Sequence, residues 1–140
     1  MQITRQADYA LRAVLYLSER EPIEKNAATS QIAEQQHIPP SFLAKIISQL
    51  SIAGLILTSR GAKGGVKLAR PPEKISVLEV VEAIDGPIAL NECSQGAGVC
   101  PYGENCPLRS LWCDTQAELI AKLKNTSFAQ VLSEANLQPA

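Results

Sequence analysis

Histidine is nearly absent from this chain of 140 residues: the one present, His37, stands in His37-Ile38-Pro39, which breaks a helical pattern. A single imidazole in a turn, with no nucleophile and base paired around it, offers no catalytic arrangement, so an enzyme is not expected. No apolar run approaches the length of a membrane span. The polar opening MQITRQAD lacks the apolar core of a signal peptide, and a cytoplasmic, reducing location is expected. There is no C-x2-C pair, the knuckle of most structural zinc sites. The glycine-rich stretch Gly61-Ala62-Lys63-Gly64-Gly65 matches neither G-x-x-x-x-G-K-[ST] nor G-x-G-x-x-G, which sets nucleotide binding aside. Repeats and low-complexity tracts are lacking too, and the length suits one modest domain, or a small domain with an oligomerisation appendage.

What the chain does have is a concentration of thiols. All 4 cysteines fall within ECSQGAGVCPYGENCPLRSLWCD, residues Glu92 to Asp114, spaced Cys93-x6-Cys100-x5-Cys106-x6-Cys113. In a reducing compartment clustered cysteines point to metal or redox chemistry more than to disulfides, and thiolates are soft ligands suited to zinc, copper(I) or iron-sulfur clusters. Cys100-Pro101 and Cys106-Pro107 keep both thiols extended. Pro107 suits the first position of a helix through Leu108, Leu111, Trp112, Thr115, Leu119 and Leu123, with Cys106 as its cap. On that helix Cys113 lies roughly 10 Å beyond Cys106 along the axis. Cys93, Cys100 and Cys106 are therefore the candidate ligands, and Cys113 a helix-face residue. Ordinary buried thiols are the bland alternative.

Ahead of this loop the pattern is that of a DNA-binding unit. Residues 4 to 19 form an amphipathic helix capped by Thr4, with Asp8 in its early turns, where a carboxylate complements the helix dipole. A short helix from Thr29 or Ser30 leads through the His37 turn to a third, from Pro40 through Ser41 to about Ala53. Leu43, Ile46, Ile47 and Leu50 share one arc of this helix. Ser41, Lys45 and Ser48 lie opposite, flanked by Ala44 and Gln49, a small, polar and cationic face suited to the major groove. Leu55 to Arg60 and Val66 to Ala69 read as strands of a hairpin whose basic tip, Arg60, Lys63, Gly64 and Gly65, forms a wing able to reach phosphates. Charge agrees: residues 1–70 carry 9 Lys or Arg against 5 Asp or Glu, and residues 71–140 carry 4 against 9. Ser76-x-x-Glu79 is a capping box opening a helix closed by Asp85-Gly86-Pro87, and Thr126 is placed to cap a last helix containing Phe128.

These residues resemble the dimeric winged-helix iron-sulfur regulators of bacteria, of the IscR, NsrR and RirA kind. The resemblance rests on MQITRQADYALRAVLYLS, IPPSFLAKIISQLSIAGLI, SRGAKGGVKLARP and ISVLEVVEAIDGP, with three loop cysteines before a helix containing LW-x-D. It implies a homodimer joined by the helix 108–124, a cluster on Cys93, Cys100 and Cys106, and DNA contacts from the Ser41 helix and the Arg60 to Gly65 wing. The cluster-assembly branch places a 2Fe-2S-binding histidine three residues after the third cysteine, where this chain has Arg109. In the nitric-oxide-sensing branch an aspartate of the partner subunit's first helix completes a 4Fe-4S site, and Asp8 matches it. A glutamate of the cluster-assembly type is replaced by Ala44, so operator sequence does not carry over.

The expected fold is mainly α with a small β-hairpin wing: a winged helix-turn-helix over 1–85, a cysteine-rich cluster-binding loop over 86–107, and a dimerisation helix with a short C-terminal helix over 108–140. The expected function is a transcriptional regulator binding an operator in double-stranded DNA under control of an iron-sulfur cluster, 4Fe-4S favoured over 2Fe-2S. The alternatives are a thiol-based sensor of the same fold without metal, or a winged-helix protein-interaction module.

Overall fold

The computed structural model describes residues 2–20, 22, 24–90 and 106–137, with side chains through residue 135. Helix α1, Arg5–Glu19, starts where the Thr4 hydroxyl accepts a hydrogen bond from the Ala7 N–H at 3.1 Å. It buries Ala7, Ala10, Ala13, Val14 and Leu17. Three alanines on that face let other backbones approach closely, and α1 becomes the central element, touching the helices α2 (Thr29–Gln36), α3 (Pro40–Ile52), α4 (Val77–Asp85) and α6 (Phe128–Leu137).

Between α2 and α3 the chain turns at His37, which takes the left-handed conformation at φ 53, while the Ile38 N–H bonds the Ala33 carbonyl at 3.0 Å. Exposed His37 therefore ends a helix by its backbone. Pro40 opens α3, and Leu43, Ile46, Ile47 and Leu50 are buried.

Strands β1 (Ile56–Ser59) and β2 (Gly65–Leu68) pair antiparallel, with Ile56 opposite Leu68 and Ser59 opposite Gly65. The free edge of β2 is partnered as well: Ala27 and Val66 exchange two backbone hydrogen bonds of 2.8 Å each. The segment entering α2 is thus fastened to the wing, a long-range pairing that no local pattern announces. A 3-10 turn, Pro72–Lys74, leads to α4, whose capping box forms as the sequence predicts: Ser76 Oγ accepts from the Glu79 N–H at 3.2 Å, and the Ser76 N–H donates to Glu79 Oε2 at 2.9 Å.

Helix α5, Arg109–Lys124, begins later than expected, with Leu108 as its N-cap residue. Cys106 does not cap it. A thiol is a weak acceptor, and the Arg109 N–H instead closes a turn on the Cys106 carbonyl at 3.2 Å, placing Pro107 before the helix. The last cap also moves by one residue: Ser127 Oγ accepts from the Gln130 N–H at 3.1 Å, whereas the Thr126 hydroxyl donates back to the Lys122 carbonyl at 2.7 Å. Phe128, 2% exposed, returns α6 to the main core beside α1.

Only part of the apolar surface along α5 and its N-cap is covered. Leu119, Ile120 and Leu123 pack on Leu78, Val81 and Ile88 of their own subunit. Leu108 and Leu111 are each 53% exposed. Within this architecture, a mainly α winged helix-turn-helix, no described helix is long and apolar enough to cross a membrane.

Candidate nucleic-acid interface and cysteine site

The outward face of α3 follows from its helical period. With Leu43, Ile46, Ile47 and Leu50 committed to the core, Ser41, Ala44, Lys45 and Ser48 are left exposed. Gln49 differs from expectation: it is half-buried, and its Oε1 is buried without a hydrogen-bond partner, so its amide is not fully presented outward. Phe42, 43% exposed, leans on the Tyr9 ring of α1, with centroids 6.2 Å apart and planes tilted by 54°.

Arg60 and Lys63 are exposed at the wing tip, where the Gly64 N–H bonds the Gly61 carbonyl at 2.9 Å. Asn26 Nδ2 donates to the Lys63 carbonyl at 3.0 Å, and the adjacent Ala27 pairs with Val66. The segment before α2 thus holds the tip from one side. Gly65 shows why glycine is needed: its φ is +140, and a Cβ there would collide with the Ala27 carbonyl oxygen. The ion pairs among the described residues, Asp8–Arg12 and Arg70–Glu79, involve none of Lys45, Arg60 and Lys63. Those three cations are available to phosphates.

Of the candidate ligands, Cys93 and Cys100 lie outside the described residues. Cys106 is a half-buried free thiol in the segment entering α5, and Cys113 is a half-buried free thiol within α5. Among the described residues no group of three His, Cys, Asp or Glu stands ready for a metal ion. Asp8, on α1, keeps 57% of its side chain exposed and accepts from Arg12 Nη2 at 2.8 Å.

Arg12 is the connecting residue that sequence reasoning missed. Its Nη1 donates to the Gln36 carbonyl at 3.1 Å, satisfying one of the open carbonyls at the end of α2. Its guanidinium carbon also lies 4.9 Å from the centroid of the Tyr9 ring. One side chain thus connects the candidate ligand Asp8, the helix-turn-helix turn and, through Tyr9 and Phe42, helix α3. The Asp8 to Arg12 spacing, one helical turn with the acid first, was the available signal.

Comparison with known proteins decides the family. A model described as Rrf2, an iron-dependent transcriptional regulator, matches residues 3–134. The chain belongs to the Rrf2 family. It is a transcriptional regulator. Among curated Rrf2 relatives, a protein of Mycobacterium tuberculosis named as an HTH-type transcriptional regulator is 35% identical over 136 residues, 96% of this chain and 83% of the relative. The HTH-type transcriptional regulator NsrR of Shouchella clausii is 32% identical over 140 residues, covering 99% of this chain and 93% of that protein. Two solved structures share the fold: IscR of T. potens, with a TM-score of 0.78 at 24% identity over 100% of this chain and 93% of that one, and CymR of B. subtilis, the global cysteine regulator, with 0.79 at 24% identity over 96% and 98%.

Proposed function

We propose that this Rrf2 protein is a cytoplasmic, homodimeric regulator whose affinity for an operator in double-stranded DNA is set by an iron-sulfur cluster. Cys93, Cys100 and Cys106 hold the cluster, and Asp8 from the first helix of the other subunit completes it. Support for the ligand set comes from donor chemistry. Cys106 is an unpaired thiol outside any helix, Asp8 offers an exposed carboxylate, and Arg109, which has no basic lone pair to offer, stands three residues beyond Cys106. That donor set fits a 4Fe-4S centre better than the histidine-completed 2Fe-2S type. When bound, such a centre supplies a group that oxygen, nitric oxide or iron scarcity alters.

The observation that carries the regulatory reading is the double engagement of Arg12. The Asp8 carboxylate and the Gln36 carbonyl share one guanidinium, so a new demand on Asp8 changes what holds the end of α2. That end is the turn from which α3 projects Ser41, Ala44, Lys45 and Ser48. Two recognition helices reading half-sites about 34 Å apart would register a small change at this turn as a change in fit. The thiols bind, Asp8 switches partners, and Arg12 transmits.

The test begins with anaerobic purification, followed by visible absorption, iron and sulfide content, and operator affinity of loaded and cluster-free protein at one salt concentration. A brown protein with equal iron and sulfide, differing in DNA affinity from its cluster-free form, is expected. Asp8→Ala should change the cluster's spectrum or lifetime. Equal affinity of both forms would refute cluster control. A colourless protein that resists reconstitution, with DNA binding restored by dithiothreitol, would assign the cysteines to thiol chemistry instead.

A further inference from the structure

We infer that Ala44 is a specificity-determining residue that reads thymine, through contact with its C5 methyl group in the major groove. The inference rests on the DNA-binding reading of α3 and adds which base feature this chain recognises. At about 100° per residue, Ser41, Ala44, Lys45 and Ser48 share one outward arc, and Ala44 is its exposed apolar member. Among base edges in the major groove the thymine methyl is the apolar feature, whereas the others present donors and acceptors.

One further observation supports the thymine methyl. The apolar surface continues behind Ala44. A cleft of about 630 Å³ opens between α2 and α3; its α3 wall is Pro40, Leu43, Ala44 and Ile47, and its α2 wall mixes Ala33 with the polar Thr29, Ser30 and Glu34. A methyl group placed at the edge of that cleft leaves water on its apolar side as well as at its tip.

The other exposed apolar side chains of α3 are placed differently. Phe42 rests on Tyr9, and Ile52 is the final residue of the helix, whereas base contacts come from the N-terminal part of a recognition helix. Lys45, beside Ala44, is suited to guanine O6 and N7. Preferred half-sites should therefore combine a guanine with a thymine.

The experiment lets the protein select duplexes from a random-sequence library, then replaces each thymine of the selected duplex by deoxyuridine, which removes only the methyl group. Affinity at fixed salt should fall about fourfold at one thymine per half-site, the value of one buried methyl. That loss should disappear in Ala44→Gly, and Ala44→Ser, which keeps a Cβ on the helix, should reduce the preference for thymine over deoxyuridine at the same position. A selected duplex in which every replacement is neutral, or in which the loss is unchanged in both variants, overturns the thymine inference while DNA binding stands. Failure to retain any duplex overturns the DNA-binding reading and this inference with it.

Discussion

Gly65→Ala tests how the wing is held. Two costs arise at this position. An alanine must adopt φ +140, a conformation rarely open to a residue with a Cβ, at about 1–3 kcal/mol. The new Cβ also collides with the Ala27 carbonyl oxygen, which accepts the Val66 N–H at 2.8 Å in the two-bond pairing with Val66. Moving that carbonyl loses one or both bonds, at about 0.5–1.5 kcal/mol each. Together they give about 1.5–6 kcal/mol, a sizeable share of the 5–15 kcal/mol expected of such a domain. Gly61 is the internal control, since its φ is +102 but nothing lies within 4 Å of an added Cβ. Gly61→Ala therefore carries the conformational cost alone. Urea unfolding of both variants at one protein concentration should place Gly65→Ala below Gly61→Ala by about 0.5–3 kcal/mol, with unchanged denaturant slope. Its DNA affinity should also fall, because the wing tip and the entry to α2 share the disturbed anchor. Equal stability of the two variants would show that the Ala27–Val66 pairing does not hold the wing.

Lys45→Ala and Arg60→Ala should each weaken DNA binding and lower the slope of log affinity against log salt by about one; an unchanged slope would remove that residue from the interface. If the proposed homodimer is joined through α5, Leu111→Asp should raise the monomer fraction in analytical ultracentrifugation, because Leu111 is 53% exposed on that helix while Leu119, Ile120 and Leu123 are packed on their own subunit; an unchanged sedimentation coefficient would place any dimer contact elsewhere. Arg12→Lys keeps the charge but lacks a planar fork to hold Asp8 and the Gln36 carbonyl together, so loaded and cluster-free protein should bind DNA more nearly alike, while a full wild-type difference would rule out Arg12 as the link. For Glu79, burial pushes the carboxyl up but is outweighed by the Ser76 N–H and the Arg70 guanidinium, which hold it below its ordinary value of 4.5. A lowered folded value means stability that is present above the ordinary value and lost as pH falls through the lowered one. Glu79→Gln should then flatten the acid limb of unfolding between about pH 3 and pH 6, a change small in size because the side chain is 40% exposed.

Legibility in the sequence followed the range of the interaction. Thr4, Pro40 and the Ser76–Glu79 box mark helix starts through contacts within one turn, and the 3.6-residue period of α3 separated Leu43, Ile46, Ile47 and Leu50 from the exposed Ser41, Lys45 and Ser48. Where two local choices had similar energy, the boundary slipped by a residue or two. Cys106 yielded the cap to Leu108, and Ser127 replaced Thr126, since adjacent hydroxyls compete for the same free N–H groups. Partner choice across the chain was not legible at all. Ala27 carries no sign that it will pair with Val66, and Phe128 does not announce that α6 returns to α1. Gln49 has the spacing of an outward residue, but burial of its Oε1 depends on neighbours supplied by the fold.

The same long-range contacts explain why α1 suits a control element. Its buried alanines bring it into contact with α2, α3, α4 and α6, and packed interfaces of this kind move as a body rather than deforming gradually. Asp8 lies on the exposed side of this helix, while Arg12, one turn later, reaches the end of α2. A force on the Asp8 carboxylate is therefore delivered across one helical turn to the joint of the helix-turn-helix. Tyr9, on the same helix, meets Phe42 two residues beyond the start of α3, so the joint and the reading helix are contacted from one rigid piece. The wing has a separate anchor, through Ala27 and Asn26, at the other end of α2. Helix α2 consequently has the Arg12 contact at its C-terminal end and a wing contact at its N-terminal end. On the proposed function, a tilt of this short helix would alter both candidate DNA-contacting parts at once, and a change at a single carboxylate would affect the whole grip on an operator.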